Sequence, residues 1–324
     1  MKLSHMIPAH DVMAVGMVHR IAVGAAPHIR GASMTDKQNY LERNLDRLRR
    51  AIVCGPADGS DIVGVLVTEP TRPEADFGII YFVRQGYWRM CGSGTFALGT
   101  LLIEAGLIEA VEPETKITLE LVSGLVTLRA AVERGQVRRV TTTTSPVFYH
   151  GSVDIQLTGH GRVPVDIAYC LNGFEPMLNA RSLGIDVSLQ NRAELERIGL
   201  EIRDIVNSTV ELRHPTDPSA NRVLQVQIFD PEPAVDGVDC RCVAIFGVDG
   251  FDLTPSGTST CAHMAAKRAK GEMSVGDKFV MESVTGAVIE GRIKADTRLG
   301  NIDAIIPEIS GAATVLRTLA ILNS

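Results

Sequence analysis

The sequence lacks the features that mark several large classes of protein. Its apolar runs are far shorter than the ~20 residues that a membrane-spanning helix needs. The net charge is −6, and the sequence has no basic run or patch of the kind that binds nucleic acid. Residues 1–16 contain no continuous apolar segment like that of a secretory signal peptide. We therefore expect a cytoplasmic protein that binds neither nucleic acid nor a membrane.

Cysteine is also scarce, and its spacing is informative. The sequence holds six cysteines in 324 residues: Cys54, Cys91, Cys170, Cys240, Cys242 and Cys261. Disulfide-stabilised domains are shorter and richer in cysteine, so we expect free thiols. Cys240 and Cys242 have a C-x-C spacing, but no second Cys or His pair lies near them to complete a metal site. We expect no metal here, and the alternating pattern around this pair predicts a strand with both thiols on one face.

The length and the remaining pattern indicate two domains with many strands and few helices. A chain of 324 residues exceeds the size at which one hydrophobic core usually stops growing. Helical periodicity predicts helices over residues 36–50 and 192–206. Stretches rich in β-branched residues predict strands over residues 61–69, 116–122, 125–132, 136–144 and 163–169. This content is typical of an α+β or mixed α/β protein.

The two halves of the chain contain an internal echo. Residues 91–106 read CGSGTFALGTLLIEAG, and residues 256–271 read SGTSTCAHMAAKRAKG. Their alignment matches Cys91 with Ser256, Gly92 with Gly257, Thr95 with Thr260, and Ala97 with Ala262. Each segment follows a β-rich stretch and precedes another strand pattern. Self-similarity at this long period indicates a duplicated domain.

Each echo segment predicts a helix that begins after small residues and ends at a glycine. Cys91 and Ser256 should therefore lie at helix N-termini. Exposed N–H groups at a helix start form an anion site. The residues that offer these groups are Gly92, Ser93 and Gly94 in the first half, and Gly257, Thr258 and Ser259 in the second. Two such sites could grip one carboxylate from both sides.

The paired turns predict proton abstraction next to a carboxylate. A thiol has a pKa near 8.5, and a helix N-terminus lowers it, so the Cys91 thiolate could remove a Cα proton. Aimed N–H dipoles would stabilise the developing carbanion. Simpler explanations exist for each residue alone, because a cysteine is often a small buried hydrophobe and a serine often a helix N-cap. Asp252 alone is most often a turn or cap residue.

Several stretches match a known family pattern. RMCGSGT resembles Met-Cys-Gly-His-Gly-Thr, and GFDLTPSGTST resembles Asp-Arg-Ser-Pro-Cys-Gly-Thr-Gly-Thr. VDIAYCLN, ESVTG and IIPEISGAA resemble three further motifs of the same family. The sequence thus resembles the proline racemase family, which includes hydroxyproline epimerases and trans-3-hydroxyproline dehydratases.

The resemblance implies an α+β fold of the diaminopimelate epimerase type. Its two pseudo-symmetric domains would each have a mixed β-sheet around a central helix, with the active site in the interdomain cleft. We expect one domain over residues 1–125 plus 300–324 and the other over residues 126–299. The resemblance also implies that the enzyme needs no cofactor.

The resemblance assigns roles to particular residues. Cys91 corresponds to the first catalytic cysteine of the family and Asp252 to the aspartate that contacts the ring nitrogen of the substrate. The backbones of residues 92–94 and 257–259 correspond to the carboxylate cradle. Ser256 takes the place of the second catalytic cysteine.

The sequence departs from the family pattern at several other positions. Ser93 replaces a histidine, while Met13 and Met17 replace a histidine and a glutamate of an N-terminal motif. A Glu-Pro-Arg-Gly-His motif appears as GPADG at residues 55–59, and a Gly-Gly pair appears as Cys-Leu at residues 170–171. These changes bear on the substrate and on the reaction.

The pairing of Cys91 with Ser256 favours a dehydratase, because the dehydratases of the family combine the first cysteine with a threonine. We expect Cys91 to remove the Cα proton of a 3-hydroxyproline-like acid, and Ser256 to position the leaving hydroxyl or relay a proton to it. One alternative is a hydroxyproline 2-epimerase or proline racemase that uses both residues as bases. Another is a non-catalytic protein that binds small acids. The expected partner is a small carboxylate or imino acid, and the sequence is compatible with a homodimer.

Overall fold

The computed structural model describes residues 6–24, 28–53, 62–247 and 250–322. Cys54 and the GPADG stretch at residues 55–59 lie outside the described residues. The helices are α1 (Met34–Val53), α2 (Gly92–Glu104), α3 (Arg192–Thr209) and α4 (Gly257–Ala269), with short 3₁₀ turns at Ala180–Leu183 and Leu189–Asn191. The strands are β1 (Met6–Ala14), β2 (Met17–Ala22), β3 (Val63–Thr68), β4 (Phe77–Val83), β5 (Gly86–Trp88), β6 (Glu114–Leu121), β7 (Gly124–Glu133), β8 (Gln136–Thr143), β9 (Phe148–Leu157), β10 (Gly161–Cys170), β11 (Gly173–Asn179), β12 (Val226–Asp230), β13 (Cys240–Gly247), β14 (Gly250–Phe251), β15 (Lys278–Ser283), β16 (Val288–Leu299), β17 (Ile302–Gly311) and β18 (Ala313–Leu322).

The chain divides into two compact units. Unit 1 comprises Met1–Thr143 and Ser310–Ser324, and unit 2 comprises Thr144–Ile309. These boundaries fall later than the expected ones, which followed residues 125 and 299. The first boundary is later because β7 and β8 continue the antiparallel meander that begins with β6 in unit 1.

The strand pairings repeat from one unit to the other. In unit 1, β1 is antiparallel to β2, β2 is parallel to β3, and β3 is antiparallel to β4. Strand β4 is then antiparallel to β5 and parallel to β6. In unit 2, β10 to β15 repeat these five relations in the same order. The predicted α+β fold with two pseudo-symmetric halves is therefore confirmed.

Each unit surrounds one buried helix with its strands. Helix α2 is buried from Gly92 to Ile103 and packs against β1, β7, β8 and β18. Helix α4 is buried from Gly257 to Ala266 and packs against β9, β10 and β16. A helix whose whole circumference is apolar or small can be covered on all sides, which explains these central positions.

The outer helices have one buried face each. The predicted helices over residues 36–50 and 192–206 correspond to α1 and α3, each a few residues longer than expected. Helix α1 packs on β3 and β4, and α3 packs on β12 and β13. The backbone of α1 is interrupted at Leu45, which has φ −135° and ψ 20°. Among the described residues, no helix is both long and apolar enough to cross a membrane.

The C-x-C pair lies on a strand, as predicted. Cys240 and Cys242 are both fully buried on β13, and Arg241 between them is partly exposed. The five described cysteines are free thiols, which confirms the prediction for these positions. Burial raises the pKa of Cys242 well above its usual value, as expected for a thiol that serves packing.

Candidate active site

Cys91 is the N-cap of α2. Its backbone is extended, with φ −140° and ψ 115°, and its Sγ accepts a hydrogen bond from Gly94 N at 3.3 Å. The first main-chain bond of the helix runs from Thr95 N to Cys91 O at 3.0 Å. The N–H groups of Gly92 and Ser93 therefore have no acceptor within the helix. Of the three predicted cradle residues, only Gly94 gives its N–H to the thiol.

Position 94 requires glycine because the backbone approaches two side chains. A Cβ at Gly94 would lie 2.7 Å from Tyr81 Cε1 and 3.2 Å from Cys91 Sγ. The Tyr81 hydroxyl is buried and has no hydrogen-bond partner among the described residues. Burial, and then the negative charge of an ionised Cys91, raise the pKa of Tyr81 well above its usual value. Tyr81 therefore stays neutral beside the thiol.

A buried histidine from β2 reaches the same helix start. His19 Nε2 lies 2.9 Å from Ser93 Oγ, and Ser93 Oγ lies 3.4 Å from Cys91 Sγ. The other ring nitrogen of His19, Nδ1, lies 3.1 Å from Met17 O. Burial lowers the pKa of His19 to about 4, so the ring is neutral at neutral pH. The sequence analysis did not identify His19, because its link to Ser93 spans 74 residues.

An ion pair anchors β2 to the strand beside it. Arg20 Nε donates to Asp11 Oδ1 at 2.7 Å, and both side chains are buried. Arg317 Nε donates to Asp11 Oδ2 at 2.9 Å. Burial opposes ionisation of Asp11, but the two arginines outweigh it and lower the pKa of the carboxyl. This cluster holds the strand that carries His19.

Ser256 is the N-cap of α4. Its Oγ accepts a hydrogen bond from Ser259 N at 3.3 Å, and Thr260 N donates to Ser256 O at 2.9 Å. The N–H groups of Gly257 and Thr258 therefore have no acceptor within the helix. The backbone of Ser256 has φ 54° and ψ 110°, a region that non-glycine residues rarely adopt. Such strain persists only where the surrounding structure imposes it, and it clusters at functional sites.

Asp252 braces the turn that leads to Ser256. Its Oδ1 accepts hydrogen bonds at 2.8 Å from both the backbone N–H and the hydroxyl of Thr254. Thr254 Oγ1 in turn accepts from Ser256 N at 3.1 Å. Asp252 is 8% exposed. The sequence suggested that Asp252 is either a turn residue or a substrate contact, and these hydrogen bonds show the turn role.

A buried carboxyl lies behind Ser256. Glu175 on β11 is fully buried, and its Oε2 accepts from Gln225 Nε2 at 2.8 Å. Gln225 Nε2 also lies 2.9 Å from Thr258 Oγ1 and 3.5 Å from Ser256 Oγ. The Ser259 hydroxyl donates to Glu175 Oε1. Gln225 and Ser259 thus link Glu175 to the N-terminus of α4.

The ionisation of Glu175 is shifted towards neutral pH. Burial is the largest cause and raises the pKa of its carboxyl to about 7. Hydrogen bonds from Cys170, Ser259 and Gln225 favour the ionised form and partly oppose burial. The sequence analysis identified neither Glu175 nor Gln225. A single glutamate in the otherwise apolar stretch GFEPML was the signal that could have found Glu175.

His263 in α4 packs against two aromatic rings, with its ring centroid 4.7 Å from that of Phe229 and 5.1 Å from that of Phe279. Burial lowers its pKa to about 3. Within the described ranges, no group of three or more His, Cys, Asp or Glu side chains could hold a metal ion.

Comparisons with known proteins point to enzymes that act on proline or hydroxyproline. A family model for proline racemase matches residues 9–322. The chain is 39% identical over 316 residues to a proline racemase from Clostridioides difficile, covering 97% of this chain and 94% of that protein. It is 28% identical over 316 residues to a trans-3-hydroxy-L-proline dehydratase from Burkholderia ambifaria, again covering 97% and 94%. A solved hydroxyproline epimerase from Agrobacterium vitis, with bound trans-4-hydroxy-L-proline, is similar with a TM-score of 0.90 and 27% identity and covers 99% of this chain and 94% of that one.

Proposed function

Because the chain belongs to the proline racemase family over residues 9–322, we propose that it removes the Cα proton of a proline-like cyclic imino acid, with the Cys91 thiolate as base. Membership confirms the predicted family and the predicted class, an isomerase or a lyase. The observation that carries the proposal is the position of Cys91 at the start of a buried helix. Similar proteins include a proline racemase, a 4-hydroxyproline 2-epimerase and a trans-3-hydroxy-L-proline dehydratase, so three reactions are candidates.

The helix start suits both the base and the carbanion. A thiolate at a helix N-terminus is stabilised by the positive end of the helix dipole and by the N–H that it accepts, here from Gly94. The N–H groups of Gly92 and Ser93 are available to the substrate carboxylate. Removing the Cα proton places negative charge on that carboxylate, and these donors stabilise it in the transition state.

Dehydration of a trans-3-hydroxyproline is the reaction that we favour. Cys91 takes the Cα proton, and the electron pair of the broken C–H bond forms a double bond to the neighbouring carbon. The C–O bond at that carbon breaks, and the hydroxyl leaves as water with a proton donated through Ser256. This reaction needs one strong base and one hydroxyl-bearing proton donor, which matches the thiol of Cys91 and the hydroxyl of Ser256.

The remaining predicted site residues complete this proposal. The N–H groups of Gly257 and Thr258 add a second set of donors for the carboxylate, while the hydroxyl of Ser259 holds Glu175 in place. Asp252 contacts the ring nitrogen of the substrate, as the resemblance implies. The expectations of a cytoplasmic protein, of a homodimer and of no cofactor stay predictions.

Inversion at Cα is the second candidate, and the environment of Ser256 favours it. An epimerase or racemase needs a second group that both gives and takes a proton at Cα. A serine does this only when another base supports it. Glu175 is a buried carboxyl linked to Ser256 through Gln225, with a pKa of about 7. The amide of Gln225 carries no proton between them, so the ionised Glu175 would support Ser256 through its charge.

Proton NMR in D₂O distinguishes these functions. The protein is incubated with trans-3-hydroxy-L-proline, trans-4-hydroxy-L-proline or L-proline, and a Cys91→Ala variant is the control. Loss of water from the 3-hydroxy substrate supports the dehydratase, and deuterium incorporation with inversion supports the epimerase or racemase. If no substrate exchanges its Cα proton but one still binds, the chain is a non-catalytic binder and the proposal is wrong.

A further inference from the structure

We propose that His19 and Ser93 form a proton relay for the Cys91 thiol, with His19 as a positioning residue that acts through Ser93. The inference rests on the proposed role of Cys91 as the base. Its evidence is the continuous chain of contacts from Cys91 Sγ to Ser93 Oγ at 3.4 Å and on to His19 Nε2 at 2.9 Å. All three side chains belong to unit 1 and are at most 5% exposed.

The hydrogen bonds give the relay a direction. Met17 O is a carbonyl oxygen and can only accept, so His19 Nδ1 carries the ring proton and donates it. In a neutral imidazole the other nitrogen, Nε2, is then an acceptor. Ser93 must donate its only proton to Nε2, and its oxygen is left to accept from the Cys91 S–H. Each donor thus faces an acceptor from the thiol to the ring.

The relay step moves two protons and converts a neutral thiol and a neutral imidazole into an ion pair. The Cys91 S–H bond breaks as its proton moves to Ser93 Oγ, and the original Ser93 proton moves to His19 Nε2. The products are a thiolate, an unchanged serine hydroxyl and an imidazolium. The reverse step returns both protons. Because Cys91 is only 5% exposed, this route forms the base without bulk water in contact with the thiol.

Among the titratable groups around His19, the thiol of Cys91 is the one that the ring contacts through Ser93. On β1 its cross-strand neighbour is Val12, whose side chain is apolar and whose backbone, like that of Met17, hydrogen-bonds the ring. Asp11 and Arg20 are also cross-strand partners, but alternation along the strands places them on the opposite face, where they pair with each other. On α2 and β4 the titratable groups nearest the relay are Cys91 and Tyr81. Burial keeps the imidazole neutral at rest, and a thiolate at the far end of the relay would stabilise its charged form.

The rate of Cys91 alkylation by iodoacetamide, measured against pH, tests the relay without any substrate. The variants are His19→Phe, Ser93→Ala and the double variant. We expect each single variant to react about tenfold more slowly at pH 7, because the thiol loses its internal proton acceptor. Because both residues belong to the same relay, losing either one interrupts it. We therefore expect the double variant to be no slower than either single variant.

Thr100→Val is the matched control. Thr100 also lies on α2 with a fully buried hydroxyl, which has no hydrogen-bond partner among the described residues. Its removal should leave the alkylation profile of the native protein unchanged. If His19→Phe does not fold, Ser93→Ala against Thr100→Val still tests the relay, because both replace a small buried hydroxyl on one helix.

The outcomes separate the relay from the function on which it rests. An unchanged profile in Ser93→Ala, or a double variant slowed by the product of the two single effects, overturns the relay. If the native protein exchanges Cα protons in D₂O and Ser93→Ala exchanges them equally fast, the relay fails while the proposed function stands. If alkylation depends on Ser93 and His19 but no imino acid reacts, the relay stands and the proposed function fails.

Discussion

The starts of helices α2 and α4 share a capping hydrogen bond and differ in chemistry. In each, the N-cap side chain accepts from the N–H three residues later at 3.3 Å: Cys91 from Gly94, and Ser256 from Ser259. The first carries a thiol and is backed by the imidazole of His19. The second carries a hydroxyl and is backed by the carboxyl of Glu175 through Gln225.

The strand pairings and the capping bond are therefore alike in the two units, while the strands around each helix supply different chemistry. Burial acts on both supporting groups by disfavouring their charged forms. It lowers the pKa of His19 to about 4 and raises that of Glu175 to about 7, so the same cause shifts them in opposite directions. A neutral imidazole can accept a proton from a thiol, while a carboxyl near pH 7 can give or take one. The two helix starts therefore differ in the proton transfers that they can support.

Removing the N-cap side chains should have the largest effect on activity and should differ most between the two helix starts. We expect Cys91→Ala to lose more than about a thousandfold in Cα proton exchange, since no other described group replaces the base. If the protein is a dehydratase, Ser256→Ala should keep measurable dehydration. Both rates are measured by NMR in D₂O, with Cys261→Ala as the control for loss of a buried thiol. Equal and complete loss in both N-cap variants would instead identify Ser256 as an activated second base.

The two supporting groups should give the free energy of unfolding opposite pH dependences. The pKa of Glu175 is raised from 4.5 to about 7, so its contribution is fully present below pH 4.5 and is lost as the pH rises through 7. The pKa of His19 is lowered from 6.5 to about 4, so its contribution is fully present above pH 6.5 and is lost as the pH falls through 4. Each shift corresponds to about 3 kcal/mol.

Urea denaturation of the native protein, Glu175→Gln and His19→Phe across this range measures both effects. Relative to the native protein, we expect Glu175→Gln to gain about 3 kcal/mol in free energy of unfolding between pH 4.5 and 8. His19→Phe should lose about the same amount relative to the native protein between pH 4 and 7. Parallel curves for a variant and the native protein would show that its group titrates normally in the fold.

Ser256→Cys should make the two helix starts chemically alike. A thiol has a much lower pKa than a hydroxyl, and the helix N-terminus lowers it further, so the variant gains a second base. If the native protein is a dehydratase, we expect deuterium incorporation with inversion of proline or 4-hydroxyproline to rise at least about tenfold. Chiral chromatography after incubation in D₂O measures it, with Ser256→Ala as the matched control, because that variant removes the hydroxyl without adding a thiol. No gain in inversion would mean that the second face of the substrate is not within reach of position 256.

The smallest expected effect concerns the backbone at the two N-caps. Ser256 has φ 54°, whereas Cys91 has φ −140°. Glycine adopts positive φ without strain and is only a few tenths of a kcal/mol worse than serine as an N-cap. We therefore expect Ser256→Gly to raise the free energy of unfolding by about 1 kcal/mol. Cys91→Gly should lower it, because that position has no strain to relieve; two changes of the same sign would contradict the assignment.

Much of the site could be read from local sequence because helix ends are local structures. The small residues at each start and the glycines at positions 106 and 271 predicted α2 and α4 and their N-caps, Cys91 and Ser256. The repeat itself predicted a duplicated fold. The domain boundaries were less predictable, since whether the strands of residues 124–143 belong to unit 1 depends on pairing rather than on their own pattern.

Local sequence is enough to place the two helix starts, the side chains that cap them and the family motifs around them, because each of these depends on neighbouring residues. Only the tertiary structure decided what lies behind each cap. His19 reaches Ser93 across 74 residues of sequence, and Glu175 reaches Ser259 across 84. Such pairs form when strands pair around a buried helix, and burial then shifts the pKa values on which the chemistry depends. No periodicity in the sequence encodes a contact at that separation.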